Sequence, residues 1–254
     1  MSQIRHTPVA PTSTQFRDGG DIIDRHRHDD HQLIYVSSGV LAITTEHGSW
    51  IASNDRALWV PANTWHEHRF YGQSRFHTIG FPTRKTPLLN ARQPTVIAVD
   101  PLVRELLIAL TSTTLTPSET RHIDAVLRDR LRRVTTEPIA LPAAQDRRLA
   151  DACRLVENDL RQPHTLAQLA AQVHTSERTL SRLYRDEFGM TYPQWRTRAR
   201  LFTGLIMLAE GAAVTDTAHA CGWATTSAFV HTFAQTMGTT PGAYRAGVRT
   251  SPDQ

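Results

Sequence analysis

The stretch that decides the fold is Leu180-Ser-Arg-Leu-Tyr-Arg-Asp-Glu-Phe-Gly189, because a second stretch, Phe229-Val-His-Thr-Phe-Ala-Gln-Thr-Met-Gly238, repeats its pattern at a constant offset. Apolar positions and the closing glycine coincide in the two stretches. Before each stretch the offset is one residue smaller, and after it a threonine and an aromatic-Arg pair also coincide. The matching residues are Ala170 and Ala218, His174 and Gly222, Thr191 and Thr240, and Trp195-Arg196 and Tyr244-Arg245. Such internal duplication predicts two copies of one supersecondary unit.

The first copy predicts two short helices joined by a tight turn. Thr165 and Gln168 form a capping-box pattern ahead of an apolar stripe, and Ser176 is the predicted N-cap of the second helix. The outer face of that second helix is polar and basic, with Arg178, Ser181, Arg182 and Arg185 at i, i+3, i+4 and i+7. A helix pair of this kind is typical of a helix-turn-helix that reads a DNA groove. One copy would equally fit an ordinary helical hairpin, whereas two copies in register favour DNA binding.

Residues 165–245 resemble the paired helix-turn-helix domain of AraC/XylS-family transcription regulators. The resemblance covers about the last third of the chain and rests on several motifs. They are Leu169-Ala170-Ala171, Arg178-Thr179-Leu180-Ser181-Arg182-Leu183, Phe188-Gly189-Met190-Thr191, Arg200-Leu201, Gly222-Trp223, Phe229, Phe233, and Pro241 to Arg245. It implies that residues 146–248 form an all-α DNA-binding domain, with a connecting helix over about 194–210. The two units would then enter successive major grooves about 34 Å apart.

The same resemblance implies which side chains contact DNA. The base-reading positions are Arg178, Ser181 and Arg182 in the first unit and Thr226, Ser227, Val230 and His231 in the second. The positions facing phosphates are Arg185, Arg196, Arg198 and Arg200. Arginine can pair bidentately with guanine, and the second reading face has none. We therefore expect the first unit to supply most of the sequence specificity.

Composition is compatible with these partners. The formal net charge is +4, the sequence pI is about 9.5, and Lys85 is the single lysine among 28 basic residues. No apolar run is long enough to span a bilayer and no signal segment is evident, so we expect a cytoplasmic protein without membrane partners. Cys153 and Cys221 lack metal-site spacing and are expected to be buried, reduced thiols.

The N-terminal half has a different period. Residues 1–20 are expected to form a flexible arm, and residues 21–100 show short apolar runs separated by turn residues. Such runs predict an antiparallel barrel or jelly roll. The predicted strands are 33–36, 40–44, 50–52, 57–60, 76–80 and 95–99, with a turn at Ser37-Ser38-Gly39.

Helical patterns follow the strands. Residues 101–110 are strongly apolar, and 118–134, with Ser118 as the predicted cap, carry a stripe at Ile123, Val126, Leu127, Leu131 and Val134. That stripe fits packing on the barrel and self-association as an antiparallel pair equally well. We assign residues 101–137 to a dimerisation segment and 138–145 to a linker. A further helix is predicted over 145–162, with Leu149, Ala152, Cys153, Val156 and Leu160 inward.

A group of histidines in the N-terminal half resembles the two cupin motifs. His26-x-His28, Gln32 and, after Pro61-Ala-Asn63, His66 stand where cupins place three imidazoles and a carboxylate around one metal ion. The resemblance implies a candidate divalent transition-metal site at His26, His28, Gln32 and His66. Gln32 replaces the usual Glu and would hold a metal less tightly. The other interpretation is that these histidines are polar lining groups. His31, His68 and His77 are expected at the surface or behind the ligands.

Aromatic residues on the predicted strands suggest an effector pocket, since small-molecule sites are mostly apolar with few polar groups. The candidates are Tyr35, Trp50, Trp59, Trp65 and Phe76. Aromatic side chains on strands can also form a plain core. We expect two or three of the five at most to line a cavity.

Together these patterns predict an α+β chain of two domains, a cupin-like antiparallel β-barrel with following helices and a double helix-turn-helix. The predicted function is a sequence-specific transcription regulator acting as a homodimer on promoter DNA. RNA polymerase is a further partner if the protein is an activator, and the sequence does not distinguish an activator from a repressor. A small molecule or a metal bound in the barrel would be its effector. The alternative is a metal-dependent cupin enzyme, an oxygenase or isomerase, with a DNA-binding tail. Gln32 counts against that alternative, so no catalytic residue is assigned.

Overall fold

The computed structural model describes residues 4–85, 87, 89–112, 115–131 and 140–249. The chain forms two compact units, one comprising the described residues up to Leu131 and the other running from Ala140 to Ala246. The predicted stripe residue Val134 and the predicted linker residues 138 and 139 lie outside the described residues. No helix among those described combines the length and apolar character that crossing a membrane would require.

The first unit is built on a sheet in which two long strands contact most of the others. The strands are β1 (Arg5–His6), β2 (Ser13–Arg17), β3 (Ile22–Arg27), β4 (His31–Thr45), β5 (Gly48–Ala52), β6 (Arg56–Val60), β7 (His66–Phe81) and β8 (Thr95–Ala98). Strand β4 pairs with β6 near its start and with β5 near its end, while it pairs with β7 along its length. Strand β7 likewise pairs with β3 first and with β2 later. Long strands that change partners in this way join two layers of a jelly-roll-like domain.

The described strands form the predicted cupin-like antiparallel domain, but they do not close into a barrel. Their pairings make an open sheet with β1 at one end, parallel to β3, whereas strands β2 to β8 pair with one another in antiparallel fashion. The predicted turn at residues 37–39 is also wrong. Gly39 lies at a bulge inside β4 with φ 77°, and a Cβ there would lie 2.1 Å from Ser74 Oγ. Only glycine fits this bulge, so β4 and β7 continue through it.

The flexible arm predicted for residues 1–20 is wrong for most of its length. Strand β2 pairs with β7 in a continuous register from Ser13 opposite Thr78 to Arg17 opposite Ser74. Gly80 supports the approach of this segment, because a Cβ at Gly80 would lie 2.2 Å from the Ala10 carbonyl oxygen. The N-terminal segment is therefore part of the sheet.

Two helices cover one face of the sheet. Helix α1 (Pro101–Leu110) begins where Asp100 Oδ1 accepts a 2.8 Å bond from Val103 N, and α2 (Pro117–Leu131) begins after Thr116, one residue before the predicted start. Leu127 and Leu131 of α2 are buried in the core with Tyr35 and Trp59 of the sheet. Packing on the sheet is thus confirmed for these two leucines, but Val126 points outward with 42% of its surface exposed.

The second unit is helical and follows the predicted duplication. Its elements are β9 (Ala140–Pro142), α3 (Arg147–Asn158), α4 (Leu166–Gln172), α5 (Glu177–Phe188), α6 (Tyr192–Ala209), α7 (Val214–Ala220), α8 (Thr226–Met237) and α9 (Pro241–Arg249). Residues 140–144, predicted as linker, include β9, and Leu141 and Ala144 pack against the core of this unit. The inward residues predicted for α3 and its end are all buried, Cys153 among them, and Cys153 and Cys221 are free thiols.

Helix ends carry the signals that the sequence predicts. Thr165 and Gln168 form the capping box of α4, Ser176 Oγ accepts from Thr179 N, and Thr191 with Gln194 forms a second capping box at α6. Helices α5 and α8 both end on a left-handed glycine, Gly189 and Gly238. The glycine stop is common to both repeats, whereas α7 begins after Ala213 without the side-chain cap that α4 has.

Candidate DNA-reading faces and the histidine cavity

The outer face of α5 is free of intramolecular packing at its centre. Arg178, Arg182 and Arg185 are exposed and Ser181 is half-buried, while Leu180, Tyr184 and Phe188 anchor the opposite face in the core. Arg182 Nε lies 3.9 Å from Asp186 Oδ2, an exposed pair that water and a phosphate or base can displace. The helix therefore presents its arginines on one side while its apolar side is fixed.

Helix α8 occupies in the second repeat the position of α5 in the first, but the exposed side chains on its outer face are of different types. Ser227 and His231 are exposed, and Thr226 and Val230 are half-buried. Phe229 and Phe233 hold the helix from beneath, with ring centroids 5.6 Å apart. The exposed groups can accept or donate single hydrogen bonds but offer no guanidinium fork, so the two faces differ as the sequence predicts.

Two of the arginines predicted to face phosphates are engaged within the domain. Arg196 Nη2 donates to the carbonyl oxygens of Leu160 (3.1 Å) and Gln162 (2.6 Å). The Arg200 guanidinium lies over the Trp223 ring, 5.5 Å from its centroid, which is a cation–π contact. Arg185 is exposed and Arg198 half-buried, so these two remain phosphate candidates.

The second repeat reproduces the Arg196 contact. Arg245 occupies the equivalent position and donates from Nη1 to the carbonyl oxygen of Ala212 at 3.2 Å. In each repeat the arginine after the closing aromatic thus binds backbone just ahead of that repeat's first helix. The duplicated aromatic-Arg pair is therefore a structural feature of the repeat, which sequence alone did not distinguish from a DNA contact.

In the first unit four histidines meet, three of them on two neighbouring strands and His28 one residue beyond the end of β3. His26 of β3 lies directly opposite His66 of β7, with ring centroids 4.2 Å apart, and His68 follows two residues along β7 on the same side. The His28 ring is 5.0 Å from His26 and 5.4 Å from His66. One ligand nitrogen from each of His26, His66 and His68 lies within 4.8 Å of the others.

Backbone carbonyls orient three of these rings. Nδ1 of His26, His28 and His66 lies 2.7, 2.9 and 3.0 Å from the carbonyl oxygens of Asp24, Thr7 and Thr64 respectively. A carbonyl only accepts, so each Nδ1 carries the proton and each Nε2 keeps a lone pair. Nε2 of His28 and His66 is buried and without a hydrogen-bond partner among the described residues, as are both nitrogens of His68.

Burial keeps this cluster neutral. It lowers the pKa of His66 to about 3, with the nearby His26 as a further cause, and it holds the pKa of His68 well below the ordinary range. Burial also lowers the pKa of His26 and of His28, although in each ring the hydrogen bond to a carbonyl opposes the shift. Neutral imidazoles are the form that binds metal ions.

The predicted ligand set is only partly brought together. His26 and His66 meet as expected, but Gln32 Nε2 donates to Thr78 Oγ1 at 2.6 Å, and His28 is not among the three residues whose ligand atoms converge. His68, predicted to be peripheral, is 1% exposed and takes a place in the trio. The signal was present in the sequence, since His66-x-His68 repeats the spacing of His26-x-His28.

Two other histidines lie elsewhere than predicted. His77 is fully buried rather than at the surface or behind the ligands, and its ring nitrogens contact three hydroxyl oxygens. Nδ1 is 3.0 Å from Thr14 Oγ1 and 2.8 Å from Thr111 Oγ1, and Nε2 is 2.9 Å from Ser37 Oγ. His31 is half-buried, stacks on Trp59, and accepts a bond from Ala62 N. Neither belongs to the histidine cluster.

A cavity of about 660 Å³ adjoins the cluster, and its lining differs from the predicted aromatic pocket. Phe76 lines it, together with His26, His28, Gln32 and His68. Tyr35 and Trp59 belong instead to the core beneath the helices, Trp50 is buried outside the lining, and Trp65 lies under the Arg25 guanidinium. The cavity also carries three arginines and one carboxylate, Arg5, Arg17, Arg25 and Asp24, so its wall is more polar than predicted.

Comparison with known proteins agrees with this division of the chain. Residues 14–80 match the family described as cupin domain, and residues 169–247 match the family described as helix-turn-helix domain. The HTH-type transcriptional regulator NimR of Escherichia coli (strain K12) is 28% identical over 235 residues, which are 90% of this chain and 84% of that protein. The regulatory protein ada of Salmonella typhimurium (strain LT2) is 36% identical over 107 residues, 41% of this chain and 30% of that protein.

Solved structures of similar proteins include two regulators. Unsaturated fatty acid-bound ToxT from Vibrio cholerae is 12% identical, with all of both chains covered and a TM-score of 0.43. An AraC-type DNA-binding domain protein from Chromobacterium violaceum is 24% identical over 42% of this chain and 95% of that one, with a TM-score of 0.39.

A cupin domain followed by two helix-turn-helix units with exposed polar faces defines a DNA-binding transcription regulator with a sensor domain. Two features narrow the class of regulator. They are the residues shared by the two repeats and the match to an HTH-type regulator along most of the chain. The chain is thus similar to transcription regulators of the AraC type.

Proposed function

We propose that this regulator is a cytoplasmic homodimer that activates transcription when an effector occupies the cavity of its cupin domain. Its partners would be double-stranded promoter DNA, RNA polymerase and a second copy of the chain. The observation that carries the proposal is the duplication. Helices α5 and α8 occupy equivalent positions in the two repeats, and each has an apolar side that is buried and a polar side that is exposed. Coupling would arise because an effector that prefers one arrangement of the chain shifts its population toward that arrangement.

In this proposal Arg178 and Arg182 of α5 read bases, with Ser181 beside them. Exposed guanidinium groups on one helix face are suited to the O6 and N7 acceptors of guanine in the major groove. Thr226, Ser227, Val230 and His231 of α8 contribute single hydrogen bonds and contacts to thymine methyl groups. Specificity would therefore be concentrated in the half-site that meets α5.

The test is selection of binding sites from random duplex DNA with the full chain, followed by footprinting of the selected sequence. We expect two protected segments on one face of the duplex, about one helical turn apart, with stronger base preference in one of them. Enrichment of no sequence, or a single protected segment, would overturn the proposal. The Arg121→Ala variant is a matched control, because Arg121 is an exposed arginine on α2 of the other domain.

The dimer is proposed from the outward side of α2. Leu127 and Leu131 are buried against the sheet. Val126 is exposed on the opposite side of the helix, next to Ala125 and His122. An antiparallel pair of α2 helices would cover this valine in both copies. Sedimentation of the chain with and without Val126→Glu checks it: a dimer converted to a monomer supports the interface, and an unchanged dimer refutes it.

We propose no enzymatic activity. The matched relatives carry the names of regulators, and the amide of Gln32 is tied to Thr78 where a cupin enzyme would place a metal-binding carboxylate. The cavity would then serve recognition. Its arginines and neutral imidazoles, with Phe76 as an apolar wall, suit a small polar effector or a metal ion.

A further inference from the structure

We propose that His26, His66 and His68 bind one divalent transition-metal ion, such as Zn²⁺, with His68 as a ligand and Gln32 excluded. The inference deepens the proposed sensor role by naming a class of ligand for the cavity. It differs from the set implied by the cupin motifs, in which Gln32 and His28 are ligands and His68 is not. It depends on the geometry of two paired strands.

The strands place the three rings around one point. His26 and His66 are direct partners across the β3–β7 ladder, so their side chains leave the sheet together. His68 is two residues further along β7 and therefore faces the same way. The ligand nitrogens of the three lie within 4.8 Å of one another, and binding would bring each of them to about 2.0–2.1 Å from one shared ion.

The hydrogen bonds prepare the rings for a metal. His26 and His66 each commit Nδ1–H to a backbone carbonyl, at Asp24 and Thr64, which leaves Nε2 as the lone-pair donor. Metal-bound histidines are commonly oriented in this way, with the second nitrogen bonded to a carbonyl or carboxylate. An imidazole-only set favours zinc, copper, nickel or cobalt over magnesium or calcium, which prefer oxygen.

His68 supplies the second, independent observation. It is 1% exposed, and neither of its nitrogens has a hydrogen-bond partner among the described residues. Phe70 and Phe76 pack against its ring, at 6.4 and 5.4 Å between centroids, and neither offers a hydrogen bond to a ring nitrogen. A buried polar group left without a partner is unfavourable. A metal ion among the three rings would give the ring the partner it lacks.

Gln32 is the weaker candidate for that role. Its Nε2 donates to Thr78 Oγ1, and Thr78 in turn donates to the Pro11 carbonyl oxygen, while its Oε1 is buried and has no hydrogen-bond partner among the described residues. The amide oxygen is also a weak, neutral ligand beside three imidazoles. His28 lies close, with a buried and unpartnered Nε2, and is a fourth imidazole next to the trio.

The test is metal binding by the full chain after treatment with a chelator. Calorimetry with Zn²⁺ and absorption spectroscopy with Co²⁺ should show one ion per chain with nitrogen coordination. His68→Phe, which keeps a ring in an apolar environment, should weaken Zn²⁺ binding at least tenfold, whereas Gln32→Met should change it less than twofold. His219→Ala removes an exposed histidine of α7 and controls for binding at the surface.

The outcomes separate clearly. Absence of a bound ion in the wild-type chain, or a loss with Gln32→Met as large as with His68→Phe, overturns the proposal. Thermal unfolding of the metal-free variants checks that they fold. If His68→Phe does not fold, His26→Ala, at a half-buried position, must give the tenfold loss instead. Selection of DNA sites is measured separately, so a chain that reads DNA but binds no metal refutes this inference and leaves the proposed function standing.

Discussion

His174 and Gly222 occupy the same position in the two repeats and share a left-handed backbone, with φ 53° and 75°, yet their surroundings differ. A Cβ added at Gly222 would lie 2.3 Å from the carbonyl oxygen of Leu160 and 2.8 Å from Arg161 Cα. The second turn is thus packed on the loop that follows α3, whereas the first turn accommodates an exposed imidazole. Both turns need a left-handed backbone at this position, but only the second turn also needs a residue without a side chain.

We expect Gly222→Ala to destabilise the DNA-binding unit by at least about 2 kcal/mol, since strain at positive φ adds to a backbone clash. His174→Gly should change stability by less than about 1 kcal/mol, because relief of strain is offset by the greater freedom of glycine in the unfolded chain. Urea unfolding of both variants measures the difference. Equal effects would show that the second turn is not packed on Leu160.

Arg182→Ala should cost about 1–3 kcal/mol at the selected DNA site and relax the preference for one base pair. Within the described part of the chain, the exposed guanidinium has a 3.9 Å pair to Asp186 as its one ion pair, so its removal should leave the fold unchanged. Titration with matched and scrambled duplexes provides the measurement. A loss of equal size on both duplexes would make Arg182 a phosphate contact.

Arg196 and Arg185 should behave in opposite ways. Arg196→Ala removes donors from two carbonyl oxygens and should lower stability by about 1–3 kcal/mol without changing the salt dependence of DNA binding. Arg185→Ala should leave stability unchanged and reduce the slope of log affinity against log salt by about 1. Thermal unfolding and salt titration decide between the two roles, and a changed slope for Arg196→Ala would restore its predicted phosphate contact.

His77 should make the first unit less stable in acid. Burial, with smaller contributions from Arg75 and Arg104, lowers its pKa to about 4 from an ordinary value near 6.5. The unfolded chain therefore binds the proton more readily. The stabilising contribution is complete above pH 6.5 and is lost as pH falls toward about 4, at most about 3 kcal/mol.

The measurement is the pH dependence of unfolding free energy for wild type and His77→Gln. The variant should show a shallower decline between pH 6.5 and 4, because glutamine does not titrate. His122→Gln, at an exposed position of α2, is the matched control and should follow wild type. An unchanged slope in His77→Gln would mean that the folded and unfolded chains bind the proton at His77 equally well.

The helical half was predictable because its signals are local. Caps such as Thr165 and Ser176, the stop at Gly189 and the apolar stripes each act within a few residues, and the structure reproduces them. The contacts of Arg196 were not predictable, since its partners lie more than thirty residues away and a basic side chain has the same pattern whether it meets a carbonyl or a phosphate.

The sheet was less predictable because its pairings are distant. Strand β2 has a polar sequence, Ser13 to Arg17, and becomes a strand by pairing with β7 some sixty residues later. For the same reason Trp59 and Phe76 could not be told apart, although one lies in the core and the other lines the cavity. His68 was missed because the start of β7 was not recognised, which hid its alternation with His66.

The contacts made by Arg196 and Arg245 have a consequence for the evolution of DNA-binding specificity in such a regulator. Each arginine fastens its own repeat to the backbone just ahead of it, using groups that lie apart from the exposed side chains of α5 and α8. If Arg178 and Ser227 read bases as proposed, substitutions there would change the DNA sequence that is bound while the scaffold keeps its dimensions. A change in the DNA sequence that is bound would then not require a change in the packing of the domain.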